Sequence, residues 1–242
     1  MTDNPAGVNA IPGPPAGPPG TAERGPRPPH GSGRSTRRGP LVTDTVRIVT
    51  ADQGPARFFA WSSEDGRRLE TVRVVMTERG LRASGYLVRV GRHSYGASYS
   101  VLCDAAGRTR RVTLHSDSAV TERGLSLTRT PGGPWLDGAG KSPPMPDLDL
   151  ALDVDFFASV FSNSLAVRRL GLHRRLGQES VVVAEVQFPD LTVEPVVHHY
   201  RTVELSEHGA RLRHQGPNGH HELTVDREGF VIDVPHLSYR LK

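Results

Sequence analysis

The residues able to do chemistry fall into a few groups. Asp147, Asp149, Asp153 and Asp155 lie within nine positions. Two carboxylates held roughly 5–9 Å apart suit glycoside cleavage. Against that, Asp147 and Asp149 follow Pro143-Pro144-Met145-Pro146, a surface-type loop, and Asp153 and Asp155 precede an apolar stretch as a helix start prefers. His198-His199 and His220-His221 invite a metal reading. Strand neighbours point to opposite faces, so each pair offers one ligand per face. No cysteine stands nearby and no His-x-His spacing occurs, so no metal and no cofactor is expected. His93-Ser94-Tyr95-Gly96 resembles the back of a nucleophile elbow, but Arg92 occupies the position where that turn needs glycine. No P-loop is present, nor a GxGxxG before a helix. Cys103 shares a strand face with apolar residues, which points to a buried thiol. No catalytic residue is assigned.

The elements that must position these residues are mostly strands. Alternation marks 70–76, with Val72, Val74 and Met76 on one face, and 81–90 as its return. Residues 95–103 put Tyr95, Ala97, Tyr99, Val101 and Cys103 on one face. Ala97 between two tyrosines leaves space, either a cavity or room for a partner layer. A hairpin loop at 104–107 and a return at 110–115 continue an antiparallel meander. Residues 180–188 are apolar on both faces, as in a strand covered on both sides. Strands are also expected at 42–51, 191–205, 210–214, 221–226 and 230–234, with a short one at 237–241. Phe58-Phe59-Ala60-Trp61 reads as a core anchor. The turn Thr77-Glu-Arg-Gly-Leu81 recurs as Thr121-Glu-Arg-Gly-Leu125 and, more loosely, as Ser206-Glu-His-Gly-Ala210. Asp104-x-x-Gly107 is echoed by Asp226-x-x-Gly229. Recurrent hairpins or an ancient duplication both account for this. Only 155–163 suggests helix, with Asn163 as its C-cap.

These signals give an all-β fold with minor α: a curved antiparallel β-roll or half-barrel. Two related halves, 56–130 and 178–242, would be joined by a connector at 131–177. Residues 1–40 stand apart, holding ten of the 20 prolines and eight of the 26 glycines. A tail of that composition cannot bury enough apolar surface to order itself, which leaves 41–242 as the folded domain. The tail carries five arginines against Asp3 and Glu23, a balance of +3 within the net +4 of the chain, so the domain is nearly neutral. A nucleic-acid-binding domain should show a basic face, and none is expected. One cysteine allows no internal disulfide. With neither a leader-type start nor an apolar run of ~18 residues, the expectation is a cytoplasmic protein without a membrane span.

Residues 132–172 carry a resemblance. Trp135, Asp137, Gly138, Asp153, Asp155, Phe161, Asn163, Arg168, Arg169 and Leu170 resemble the Putative glycolipid-binding family of bacterial proteins, a domain of unknown function. Trp61, Gly85-Tyr86, Tyr95, Tyr99, the strand at 181–188 and Val225-Asp226-x-x-Gly229-x-Val231 also fit, so the likeness covers about 58–240. Ala166 stands where the family tends to have proline. The resemblance implies a fold similar to lipoprotein carriers and a lipid or glycolipid partner, its acyl chain in an apolar interior. It implies ligand contacts from Trp135, stacking on a sugar, from Asp153, Asp155, Asn163, Tyr95 and Tyr99, and from Arg168 and Arg169 on a head group. The arginines could equally clamp Asp153 or Asp155. Non-catalytic binding is the leading reading. The alternatives are an enzyme using Asp153 and Asp155, and an interaction module addressed through the proline-rich tail.

Overall fold

The computed structural model describes residues 55–131, 133–141, 143 and 145–242, Pro146 by its backbone only. The expected strand at 42–51 and the proline-rich tail lie outside the described residues. Seven strands lead off: β1 (Ala56–Ser63), β2 (Arg68–Thr77), β3 (Gly80–Arg89), β4 (Tyr95–Cys103), β5 (Thr109–Ser118), β6 (Glu122–Arg129) and β7 (Trp135–Asp137). A 3-10 turn at Pro146–Leu150 leads to β8 (Asp153–Phe156) and the helix α1 (Phe161–Leu170). Then come β9 (Gln178–Gln187), β10 (Thr192–Ser206), β11 (Gly209–Gly216), β12 (Gly219–Asp226), β13 (Val231–Val234) and β14 (Ser238–Arg240).

All fourteen strands of the described residues form one curved, open sheet in the order β7-β6-β5-β4-β3-β2-β1-β14-β13-β12-β11-β10-β9-β8. Every pairing is antiparallel except β8 with β9. The two meanders meet where β1 pairs with β14, Trp61 opposite Arg240. Alternation does what it should: Tyr95, Ala97, Tyr99, Val101 and Cys103 are all buried. The space above Ala97 belongs to a partner layer, since Tyr99 packs on Phe156 and Phe161, and Tyr95 on Phe188. The inner face is filled by aromatic rings, α1 and the buried Trp61 and Trp135. Val183, Ala184, Glu185 and Val186 are buried in succession, as a doubly covered strand requires.

Four local expectations need correction. Phe58 is 70% exposed, so only Phe59 and Trp61 of the aromatic run anchor β1, the Trp61 indole donating to the Val231 carbonyl. Glu122-Arg123-Gly124 opens β6 rather than a turn, and β7 was not legible at all. Asp153 and Asp155 lie in β8, not at a helix start. The helix begins at Phe161 and ends on Gly171 in the left-handed region (φ 70°), so Asn163 sits in its first turn and caps nothing.

Two sequence echoes are structural equivalents. Gly80 (φ 129°) and Gly209 (φ 147°) close the β2–β3 and β10–β11 hairpins. A Cβ on Gly80 would stand 2.1 Å from the Cys103 carbonyl oxygen, and one on Gly209 1.9 Å from that of Val225. Asp104 and Asp226 each accept, through Oδ1, the amides two and four residues ahead. The loops they shape lie against neighbouring side chains of α1: Gly107 under Arg169 and Gly229 under Arg168. The copy at Thr121–Leu125 fails this test, because a Cβ on Gly124 meets nothing within 4 Å. Gly209→Ala should therefore cost about 2–4 kcal/mol in urea unfolding, whereas Gly124→Ala should leave the unfolding free energy within about 0.5 kcal/mol of the parent or raise it.

Candidate functional site

The cap residue Val160 makes no side-chain cap, and local help is limited to the Ser159 hydroxyl, which accepts from the Ser162 amide (3.2 Å). A carboxylate from a distant strand supplies the cap. Glu70 of β2 is buried and accepts from the backbone amides of Val160 (2.6 Å) and Phe161 (3.3 Å) through Oε2. Its Oε1 accepts from the hydroxyls of Tyr99 (2.7 Å) and Ser159 (2.6 Å). An anion at a helix N-terminus meets the positive end of the macrodipole. Burial pushes the Glu70 carboxyl up, and these four donors pull against it. Gly85 makes room for the arrangement, because any Cβ there would stand 2.2 Å from the Tyr99 ring. The helix's polar first turn is also spent on ties. Ser162 donates to Asp155 Oδ1 and accepts from the Phe156 amide (3.2 Å), and Ser164 accepts from the Val231 amide (3.1 Å).

Beside the N-terminus of α1 opens a cavity of about 520 Å³. Its wall includes Asp155 and the strained Ala158 (φ 77°), then Glu185, His198 and His214, with Arg67, Arg68 and Arg89 also lining it. That volume suits a small-molecule site. Asp155 and Glu185 sit directly opposite each other in the parallel β8–β9 pairing. His198 Nε2 stands 3.3 Å from Glu185 Oε2, its Nδ1 4.0 Å from Asp155 Oδ2 and 3.1 Å from His214 Nε2. Burial alone would lower the His198 imidazole, but its hydrogen bond to Glu185 and the Asp155 charge outweigh that and raise it. Burial and the neighbouring His198 push His214 down to about 3, so its ring is neutral. Burial raises the Asp155 carboxyl, opposed by His198 and Ser162.

A register shift brings the two histidines together. From Ser206 opposite Gly209 to Glu204 opposite Arg211, paired residue numbers sum to 415. Past an irregularity between Thr202 and Glu204 the sum is 414, so Tyr200 faces His214. Without the shift His214 would face Arg201, whose side chain is on the solvent side. Gly216 then keeps the strand clear, since a Cβ there would press on the His198 ring at 3.2 Å.

Of the residues expected to touch a ligand, Asp155 and Asn163 line this cavity. Trp135 is wholly buried, its indole donating to the Ala151 carbonyl (3.1 Å), and it has no free face for a sugar. Tyr95 and Tyr99 are core residues. Arg169 forks onto the buried Asp153, with Nε to Oδ2 at 2.9 Å and Nη2 to Oδ2 at 2.6 Å. Arg168 donates to the Glu228 carbonyl and lies 4.4 Å over the Phe230 ring. A smaller cavity of about 300 Å³ borders the two arginines. The second carboxylate beside Asp155 is thus Glu185, which the sequence reading passed over along with Glu70 and His214. The available signal was a lone acid inside an apolar strand: Glu70 before Val72 and Val74, Glu185 within Val181-Val-Val-Ala-Glu-Val186. Cys103 is buried, and burial pushes its thiol up to about 12.

A sequence profile described as Putative glycolipid-binding matches residues 58–240. The chain belongs to that family. No curated protein matches it. Among solved structures, it is similar to a DUF1089 family protein from Pseudomonas aeruginosa, at 25% identity and a TM-score of 0.61 over 71% of this chain and 92% of that one. A beta-barrel-like protein of DUF1849 from Brucella abortus covers 76% of this chain and 93% of its own at 9% identity, TM-score 0.44. No helix among the described residues is long and apolar enough to cross a membrane.

Proposed function

We propose that the protein binds a glycolipid, head group first, in the 520 Å³ cavity. The observation that carries this reading is the desolvated Asp155–Glu185–His198 group in the cavity wall. Buried carboxylates and an imidazole are strong partners for sugar hydroxyls, because a competing water is excluded. The family description points to the same ligand class. The filled inner face leaves the acyl chain to the cavity mouth, against Phe157, Pro217 and Leu237, where each buried CH₂ contributes about 0.8 kcal/mol. Titration with a short alkyl glycoside, its free sugar and the matching alcohol tests this. The glycoside should bind best, and Glu185→Gln should weaken it at least tenfold. Equal binding of the alcohol alone, unaffected by that substitution, would reject the reading.

A second reading is turnover of the same ligand, favoured by the facing pair Asp155 and Glu185, whose closest oxygens lie within 4.8 Å. Asp153 has no part in it, being engaged by Arg169. Release of nitrophenol from aryl glycosides, lost in Asp155→Asn, distinguishes it from binding alone.

A further inference from the structure

We infer that Asp155, Glu185 and His198 form a binding site for one divalent transition-metal cation of the zinc or manganese type. One ligand atom from each residue lies within 4.8 Å of the other two. The three come from adjacent strands β8, β9 and β10: Asp155 and Glu185 are register partners, and His198, paired with Val181, reaches Glu185 through its side chain. Asp155 is 9%, Glu185 5% and His198 1% exposed, yet all three line the open cavity, which gives an ion a way in.

The surroundings are arranged as a metal site's are. Each carboxylate has one oxygen held by a neutral donor: Ser162 Oγ on Asp155 Oδ1, and Gln187 Nε2 on Glu185 Oε1 at 2.6 Å. The other oxygen of each turns toward His198, Glu185 Oε2 toward Nε2 (3.3 Å) and Asp155 Oδ2 nearest Nδ1 (4.0 Å). The His198 ring presents Nε2 to Glu185, while Nδ1–H can be donated to His214 Nε2 at 3.1 Å. A ligating histidine almost always gives its second N–H to such a partner, which fixes the tautomer. Charge points the same way. Two buried carboxylates face a single imidazole, so even a protonated His198 leaves one negative charge over, whereas a dication with neutral His198 balances the three residues. Two oxygens and one imidazole nitrogen suit zinc, manganese or ferrous iron better than calcium or magnesium. Asn163, whose Oδ1 has no hydrogen-bond partner, lines the same cavity. The exposed trio His115, Asp117 and Glu122 has similar spacing but neither burial nor a cavity.

The inference does not rest on the glycolipid reading, because the test uses metal alone. Full-length protein stripped with a chelator is titrated calorimetrically with ZnCl₂ and with MnCl₂. We expect one equivalent of at least one ion, a raised unfolding temperature, and affinity at least 100-fold lower in Glu185→Gln and in His198→Ala. His115→Ala should bind as the parent does. Glu185→Gln is nearly isosteric, and its circular dichroism shows whether it is folded. Anomalous scattering at the metal edge should place the ion among the three side chains. No binding, or binding lost in His115→Ala and retained in Glu185→Gln, overturns the proposal.

Discussion

Glu70→Ala should be the most destabilising single substitution in the described domain. Removing this carboxylate strips the acceptor from two hydroxyls and two backbone amides at once, all of them buried. An unsatisfied buried donor costs about 1–3 kcal/mol, and some relaxation will re-pair part of the set. A loss of about 4–5 kcal/mol is expected, near the top of the range for point changes. In a domain of this size that lowers Tm by roughly 8–20 °C. Glu70→Gln keeps one acceptor oxygen but turns an N–H toward other donors, so its loss should be intermediate. Thermal unfolding of the two variants checks the order. If Glu70→Ala came within 1 kcal/mol of the parent, α1 would have to owe its position to packing and to its other ties, those of Ser162, Ser164 and Arg169.

The second large effect belongs to the pair Asp153 and Arg169. Asp153 is completely buried and Arg169 nearly so. Arg169→Met keeps an unbranched apolar stem over Gly107 but leaves a carboxylate in the core without its partner. Burial already raises the Asp153 carboxyl and Arg169 opposes this, so the variant should lose about 3–5 kcal/mol. Adding Asp153→Leu removes the stranded charge, and the double variant should recover much of that loss, because replacing a whole buried pair costs far less than halving it. Urea unfolding of the two singles and the double gives the coupling. A double variant no better than Arg169→Met would mean that fork geometry, rather than charge compensation, is what holds β8 to α1.

How much of this could be read from residues alone follows a physical division. Strand faces with one wet side declare themselves, as β4 does in its five alternating buried residues. The doubly covered β9 was legible for the same reason, from its unbroken apolar run. The helix lies nearly two turns later than 155–163, and Ser162 and Ser164 stand in its first turn. Their hydroxyls are buried to tie α1 to β8 and β13, and that polarity hides the amphipathic period. Glu185 escaped notice because its importance depends on a parallel partner, Asp155, thirty residues away. Strand alternation separates the buried His198 from His199, which is exposed, but the sequence holds no neighbouring ligand spacing to single it out. His214 follows the regular alternation of β11 with Ala210 and Leu212, but the irregularity before Glu204 changes which β10 residue it faces, and that could not be counted back from the hairpin turn.

The seam between β1 and β14 has a consequence for biosynthesis. Trp61 and Arg240 are register partners 179 positions apart, 240 minus 61. As the polypeptide leaves the ribosome, β1 can zip onto β2 within moments, but its other border stays open until nearly all of the remaining domain has been translated. Such distant pairing slows folding and lengthens the time an unpaired border is exposed to other chains. Nascent molecules halted anywhere before the last strand should thus be the aggregation-prone species, and chaperone demand should fall sharply once β14 emerges.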